Sequence, residues 1–89
     1  MKIRFAEAAN RELIDAVDWF ERQQVGLGAH FRRDVREATL RIAGAPLLFP
    51  VELEDVRRYV MNRFSYTLRY VMRSGSLQFR TSIAALITG

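Results

Sequence analysis

The chain has 89 residues, 49% of them hydrophobic and 27% charged, which fits one small globular domain with no room for a second core. It has no cysteine, which excludes a disulfide framework or a thiolate metal site and points to a reducing cytoplasm. The net charge of +4 is unevenly placed: residues 1–55 carry 8 basic and 10 acidic side chains, and residues 56–89 carry 6 arginines and no acid. A cationic half implies an acidic partner, either nucleic acid or an acidic protein segment. A domain of this size is marginal alone, so a partner chain would also help to stabilise it.

Lys2–Phe5 alternates, with Ile3 and Phe5 inward and Lys2 and Arg4 outward, and predicts a short strand. Residues 7–24 predict a helix whose apolar stripe is Ala9, Leu13, Ala16, Val17 and Phe20. Ile14 and Trp19 lie off that stripe and are expected at its edges or against a partner. Gly26 suits the C-cap of this helix, and Gly28 lets the chain reverse. A second helix over Ala29–Ala43 presents Phe31, Val35, Ala38 and Ile42 on one side, with Leu27 just ahead of it in the same register. Gly44 and Pro46 end it.

Ala45–Asp55 reads as a connection in which Leu47, Leu48 and Phe49 tuck under the sheet edge. Val56–Arg73 is the organising stretch, two strands joined by a turn around Met61–Phe64. In its second strand Tyr66, Leu68, Tyr70 and Met72 share one face, and Thr67, Arg69, Val71 and Arg73 share the other. The segment after Asp55 contains nothing acidic to compensate that basic face. Ser74-Gly75 marks a tight turn into a last strand beginning at Leu77. The predicted fold is α+β, β-α-α-β-β-β, a helical hairpin on one face of a small antiparallel sheet, in one domain over residues 1–89. The longest apolar run, Ile83–Ile87, is too short to span a bilayer, and the N-terminus lacks a signal-peptide core, so no membrane partner is expected.

Several segments carry a resemblance when taken in order. They are A-x-x-E-L-x-x-A-x-x-W-F at Ala9–Phe20, G-L-G-x-x-F at Gly26–Phe31 and I-x-x-x-P-x-x-F-P at Ile42–Pro50. R-R-Y at Arg57–Tyr59 and F-x-Y-x-L-x-Y at Phe64–Tyr70 follow, with Ser65 where Pro is common. In these the chain resembles the RelE/ParE toxin superfamily of bacterial type II toxin–antitoxin systems, especially its ParE-like branch. The resemblance implies a cytoplasmic bacterial toxin that inhibits growth, neutralised by an antitoxin whose C-terminal segment wraps it. ParE-like members resemble inhibitors of DNA gyrase, and RelE-like members cleave mRNA on the ribosome. Neither branch implies a cofactor or a small-molecule substrate. Members typically continue the last strand into an apolar run followed by His and basic residues, whereas Thr81–Gly89 reads TSIAALITG. That departure makes an inactive relative that only binds antitoxin a third reading.

The residues themselves sort these readings. RNA cleavage needs a base for the 2′-hydroxyl, an acid for the leaving oxygen and cations for the developing charge. Arg69, Arg73 and Arg80 are candidates to share a sheet face and grip phosphate, but guanidinium stays protonated and is a poor proton shuttle. Arg57 and Arg58 point to opposite faces; the inward one is expected to anchor the sheet or pair with a carboxylate such as Glu37, and the other to join the basic face. Tyr66 and Tyr70 fall on the apolar face and read as core aromatics. His30, the only histidine, has no companion for a metal site or a catalytic triad and reads as surface. Trp19, with Ile14 and Leu40, is placed to line a partner groove. The preferred expectation is a non-enzymatic, ParE-like toxin that contacts its partner or nucleic acid through Arg57, Arg58, Arg69, Arg73, Arg80 and Trp19.

Overall fold

The computed structural model describes residues 2–80. The order is β1 (Lys2–Phe5), α1 (Glu7–Gln23), α2 (Leu27–Gly44), β2 (Val51–Leu53), β3 (Val56–Val60), β4 (Thr67–Arg73) and β5 (Ser76–Arg80). These form a small α+β unit with two helices packed on one sheet of order β1-β5-β4-β3-β2. The sheet is mixed rather than antiparallel, because β1 runs parallel to β5, with Ile3 opposite Leu77 and Phe5 opposite Phe79. The Ala6 amide then donates to the Phe79 carbonyl at 3.0 Å and hands the chain to α1. The expected antiparallel sheet fails here because alternation reports which face a side chain takes, not which strand lies beside it.

Each apolar stripe turns to the same side of the sheet. From α2 come Phe31, Val35, Ala38 and Ile42; from the sheet come Leu68, Tyr70, Leu77 and Phe79, and all eight are buried. Leu13, Ala16, Val17 and Phe20 of α1 pack against them. Phe31 is the hub, with ring centroids 4.8 Å from Phe20, 5.1 Å from Phe64 and 5.1 Å from Tyr66. Edge-on and tilted aromatic pairs of this kind add about 0.5–1.5 kcal/mol beyond area burial.

The helical hairpin depends on a close approach. A Cβ on Gly28 would sit 2.7 Å from the Val17 carbonyl oxygen, so only glycine lets the backbones meet there. Gly26 has φ 90° and is the N-cap of α2, whereas α1 ends earlier, at Gln23, with Gln24 as its cap. The Glu21 carboxylate accepts from the Gly26 amide at 2.9 Å and the Gly28 amide at 3.0 Å. A carboxylate from the end of α1 thus satisfies the open amides of α2 and complements its dipole.

The connection between α2 and β3 departs most from expectation. It contains β2, a three-residue edge strand whose register with β3 shifts between Val51 and Leu53. Leu47 and Leu48 do not tuck under the sheet; they are 67% and 75% exposed. Polar contacts hold the segment instead. The Tyr70 hydroxyl donates to the Pro46 carbonyl at 2.6 Å, and Arg57 donates to the carbonyls of Leu47 and Phe49 at 3.2 and 2.7 Å. Arg57 is therefore the inward arginine, and its partners are loop carbonyls rather than Glu37. Only Phe49 of the three apolar residues packs inward, its ring 5.0 Å from that of Tyr59.

Candidate functional site

The face of the sheet away from the helices is built by register. Arg58 on β3 lies opposite Arg69 on β4, and Arg69 lies opposite Arg80 on β5. Three arginines thus stand opposite one another on neighbouring strands, which are about 4.8 Å apart. Like charges directly across a ladder are destabilising. Arg73 is one end of the same face, opposite Ser76. Of the predicted contact residues, Arg58, Arg69, Arg73 and Arg80 therefore do come together. Arg57 points to the helix side, and Trp19 lies on α1, away from them.

The open face is not left uncompensated. Glu52, on the edge strand β2, reaches across β3 and takes Arg69 in both carboxylate oxygens, at 2.7 Å from Nε and 3.1 Å from Nη2. The pair is well sheltered, its side chains 12% and 27% exposed for Arg69 and Glu52 respectively. The Arg69 hydrogen bond holds the Glu52 carboxyl below its usual range; desolvation opposes this, and the charges of Arg69 and Arg58 reinforce it. Asp55, in the β2–β3 turn, accepts from Arg73 at 2.9 Å. Both acids precede the arginine-rich half, and their part in the face appears only once β2 is placed beside β3. Among the described residues, no carboxylate makes an ion pair with Arg58 or Arg80.

A second candidate lies on the helix side. A groove of about 690 Å³ opens between α1, α2 and the β3–β4 turn, lined by Trp19, Phe20, His30, Arg63 and Tyr66 among others. Trp19 is 56% exposed at its mouth, and His30 is an exposed lining residue. Ile14 and Leu40 are also exposed but do not line this groove. Phe20, Phe64 and Tyr66 contribute here because the aromatic core reaches the surface at the turn, which the alternation of β4 does not reveal.

The chemistry available at these sites is limited. Burial pushes the Tyr66 hydroxyl far above the ordinary phenol range, with the adjacent Glu12 charge adding to it. That hydroxyl donates to Glu12 Oε1 at 3.2 Å. Burial also raises Tyr70, with Arg57 opposing. Neither phenol is on the open face, and that face carries no histidine among the described residues. No cluster of three metal-ligating side chains occurs among them, and none of their helices is long and apolar enough to cross a membrane. The segment Thr81–Gly89, on which the altered tail was read, lies outside the described residues. Compared with known proteins, the chain matches no family model and no curated protein.

Proposed function

We propose that the chain is the toxin of a type II toxin–antitoxin pair, ParE-like, acting by binding DNA gyrase and neutralised by a cognate antitoxin. The observation that carries this reading is the pairing of a helical hairpin, closed at Gly26-Leu27-Gly28, with an arginine-rich sheet face that holds cations without a proton shuttle. Such a face favours binding over acid–base chemistry. The resemblance in segment order from Ala9 to Tyr70 supplies the rest. The test is supercoiling of relaxed plasmid by purified gyrase with increasing amounts of the chain. Dose-dependent inhibition, relieved by the product of the neighbouring reading frame, is expected. No inhibition by folded protein would remove the gyrase target.

A second reading, a ribosome-dependent mRNA interferase, draws on one feature, the Arg58–Arg69–Arg80 row as a phosphate grip. Under it, Arg80→Ala abolishes ribosome-dependent cleavage without unfolding the chain. Retained cleavage would sink that reading.

A further inference from the structure

The groove beside the β3–β4 turn has walls like those of a core. Trp19, Phe20, Leu27, Phe64 and Tyr66 line it, and its volume of about 690 Å³ suits a bound segment or ligand. Its polar lining, His30, Asp34 and Arg63, is of mixed sign and offers no net charge for a ligand to match. The register of β5 leads to this groove. A step forward along β5 is a step back along β4: Leu77 faces Met72, Phe79 faces Tyr70 and Arg80 faces Arg69. Leu77 and Phe79 are buried on the helix side. The residues that follow are Thr81-Ser82-Ile83-Ala84-Ala85-Leu86-Ile87, an uncharged stretch ending in an unbroken apolar run. An apolar run of this kind gains by covering itself. Continued at the same step and alternation, Thr81 falls opposite Leu68, Ile83 opposite Tyr66 and Ala85 opposite Phe64, all on the helix side.

We propose that the occupant of this groove is the chain's own Ile83–Ile87, laid along the Phe64–Tyr66 wall with Ile83, Ala85 and Ile87 turned towards α1. The reach is sufficient. Thr81–Ile87 spans about 23 Å when extended. Beyond Phe64 the groove is a run of touching rings, with Phe20 centred 4.8 Å from Phe64 and 5.1 Å from Trp19. The segment's composition fits the walls, because it brings apolar side chains and no charge to a site whose own charges are mixed. A groove filled in this way is not free to a ligand. Any apolar compound must displace the segment, and its apparent affinity falls with the fraction of molecules in which the groove is open. The inference goes beyond the toxin reading and stands or falls separately from the gyrase target.

The experiment uses the full chain, whose single tryptophan is Trp19 and which has no cysteine. The first probe is anilinonaphthalenesulfonate, a dye that brightens on apolar surface. Ile83→Asp combined with Ile87→Asp puts charges into the seated segment and releases it. This variant is expected to keep the parent's far-ultraviolet circular dichroism and to bind the dye about tenfold more tightly, as a groove freed from an occupant seated about nine-tenths of the time does. Leu48→Asp alters an apolar side chain that is 75% exposed elsewhere and leaves the dye affinity unchanged. Equal dye affinity in the parent and the double variant would overturn the proposal. The second probe leaves Ile83, Ala85 and Ile87 intact. A nitroxide on Ala84→Cys, on the other side of the strand, is expected to quench Trp19, and reduction of the nitroxide by ascorbate restores the emission. The same label on Ser74→Cys, in the turn at the far end of β4, leaves Trp19 bright. An Ala84→Cys label whose reduction does not raise Trp19 emission, or raises it no more than the Ser74→Cys label does, would overturn the proposal even if the double variant fails to fold.

Discussion

On the helix-covered face of the sheet, Arg57 gives its guanidinium to the carbonyls of Leu47 and Phe49, fixing a loop that its exposed leucines do not hold. On the open face, its neighbour Arg58 stands in a row of like charges next to a carboxylate that belongs to Arg69. The two arginines are adjacent in sequence and occupy the same strand. The difference is in what surrounds them. On the covered face the half-buried Arg57 finds loop carbonyls as partners, so arginine becomes a structural donor. On the other face Arg69 is sheltered and held by Glu52 with Val71 buried beside it, and only Arg58 and Arg80 lack an ion-pair partner among the described residues. The covered face carries the core, and the arginine row is a face from which binding is proposed.

The largest way to break this contrast is to remove the hub of the covered face. Phe31→Ala deletes the ring that touches Phe20, Phe64 and Tyr66. It is expected to cost about 3–5 kcal/mol, a large share of the stability of a domain this small. Urea unfolding monitored by circular dichroism measures it. A loss below about 1 kcal/mol would show that the core lies elsewhere.

The paired arginines offer a sharper test. Arg57→Met leaves two loop carbonyls without their charged donor and is expected to cost about 1.5–3 kcal/mol. Arg58→Met removes one member of a like-charged row and is expected to stay within about 0.5 kcal/mol of the parent. The difference in urea midpoints between these two variants decides the matter, and equal costs would erase the distinction between the faces.

Gly28→Ala probes the covered face through its steric limit. The added methyl meets the Val17 carbonyl oxygen at 2.7 Å, and backbone gives way poorly. Separation of the helices is expected to cost about 1–3 kcal/mol. Thermal melting should drop accordingly, and an unchanged melting temperature would show that the two backbones can part there without cost.

Much of the covered face was legible in the sequence. The stripe Phe31, Val35, Ala38, Ile42 and the alternation Leu68, Tyr70 are local periodicities, and local periodicity names a face. The inward turn of one arginine of the Arg57–Arg58 pair was legible for the same reason, but its partner was not. A loop carbonyl offers no side chain to read, whereas Glu37 does. The open face was legible as a composition but not as a site. The row Arg58–Arg69–Arg80 requires the register of three strands, and the Glu52–Arg69 pair requires β2 to be an edge strand. A three-residue strand after Pro50 carries too short an alternation to announce itself. The parallel pairing of β1 with β5 is likewise a fact about neighbours, set by how the helical hairpin returns the chain.

The smallest expected effect tests the open face by pH. The Arg69 hydrogen bonds lower the Glu52 carboxyl below its unfolded range, so the folded state binds its proton more weakly than the unfolded state does. The contribution of the pair is therefore present above the ordinary carboxylate pKa of about 4.3 and lost as pH falls through the lowered folded value. Melting curves of the parent chain and Glu52→Gln, compared from neutral pH downward, should differ at pH 7 and converge in acid. The gap at pH 7 should shrink only modestly in 1 M salt, because the pair is well sheltered. A gap unaffected by acid would mean that Glu52 acts through packing on β3 rather than through its charge.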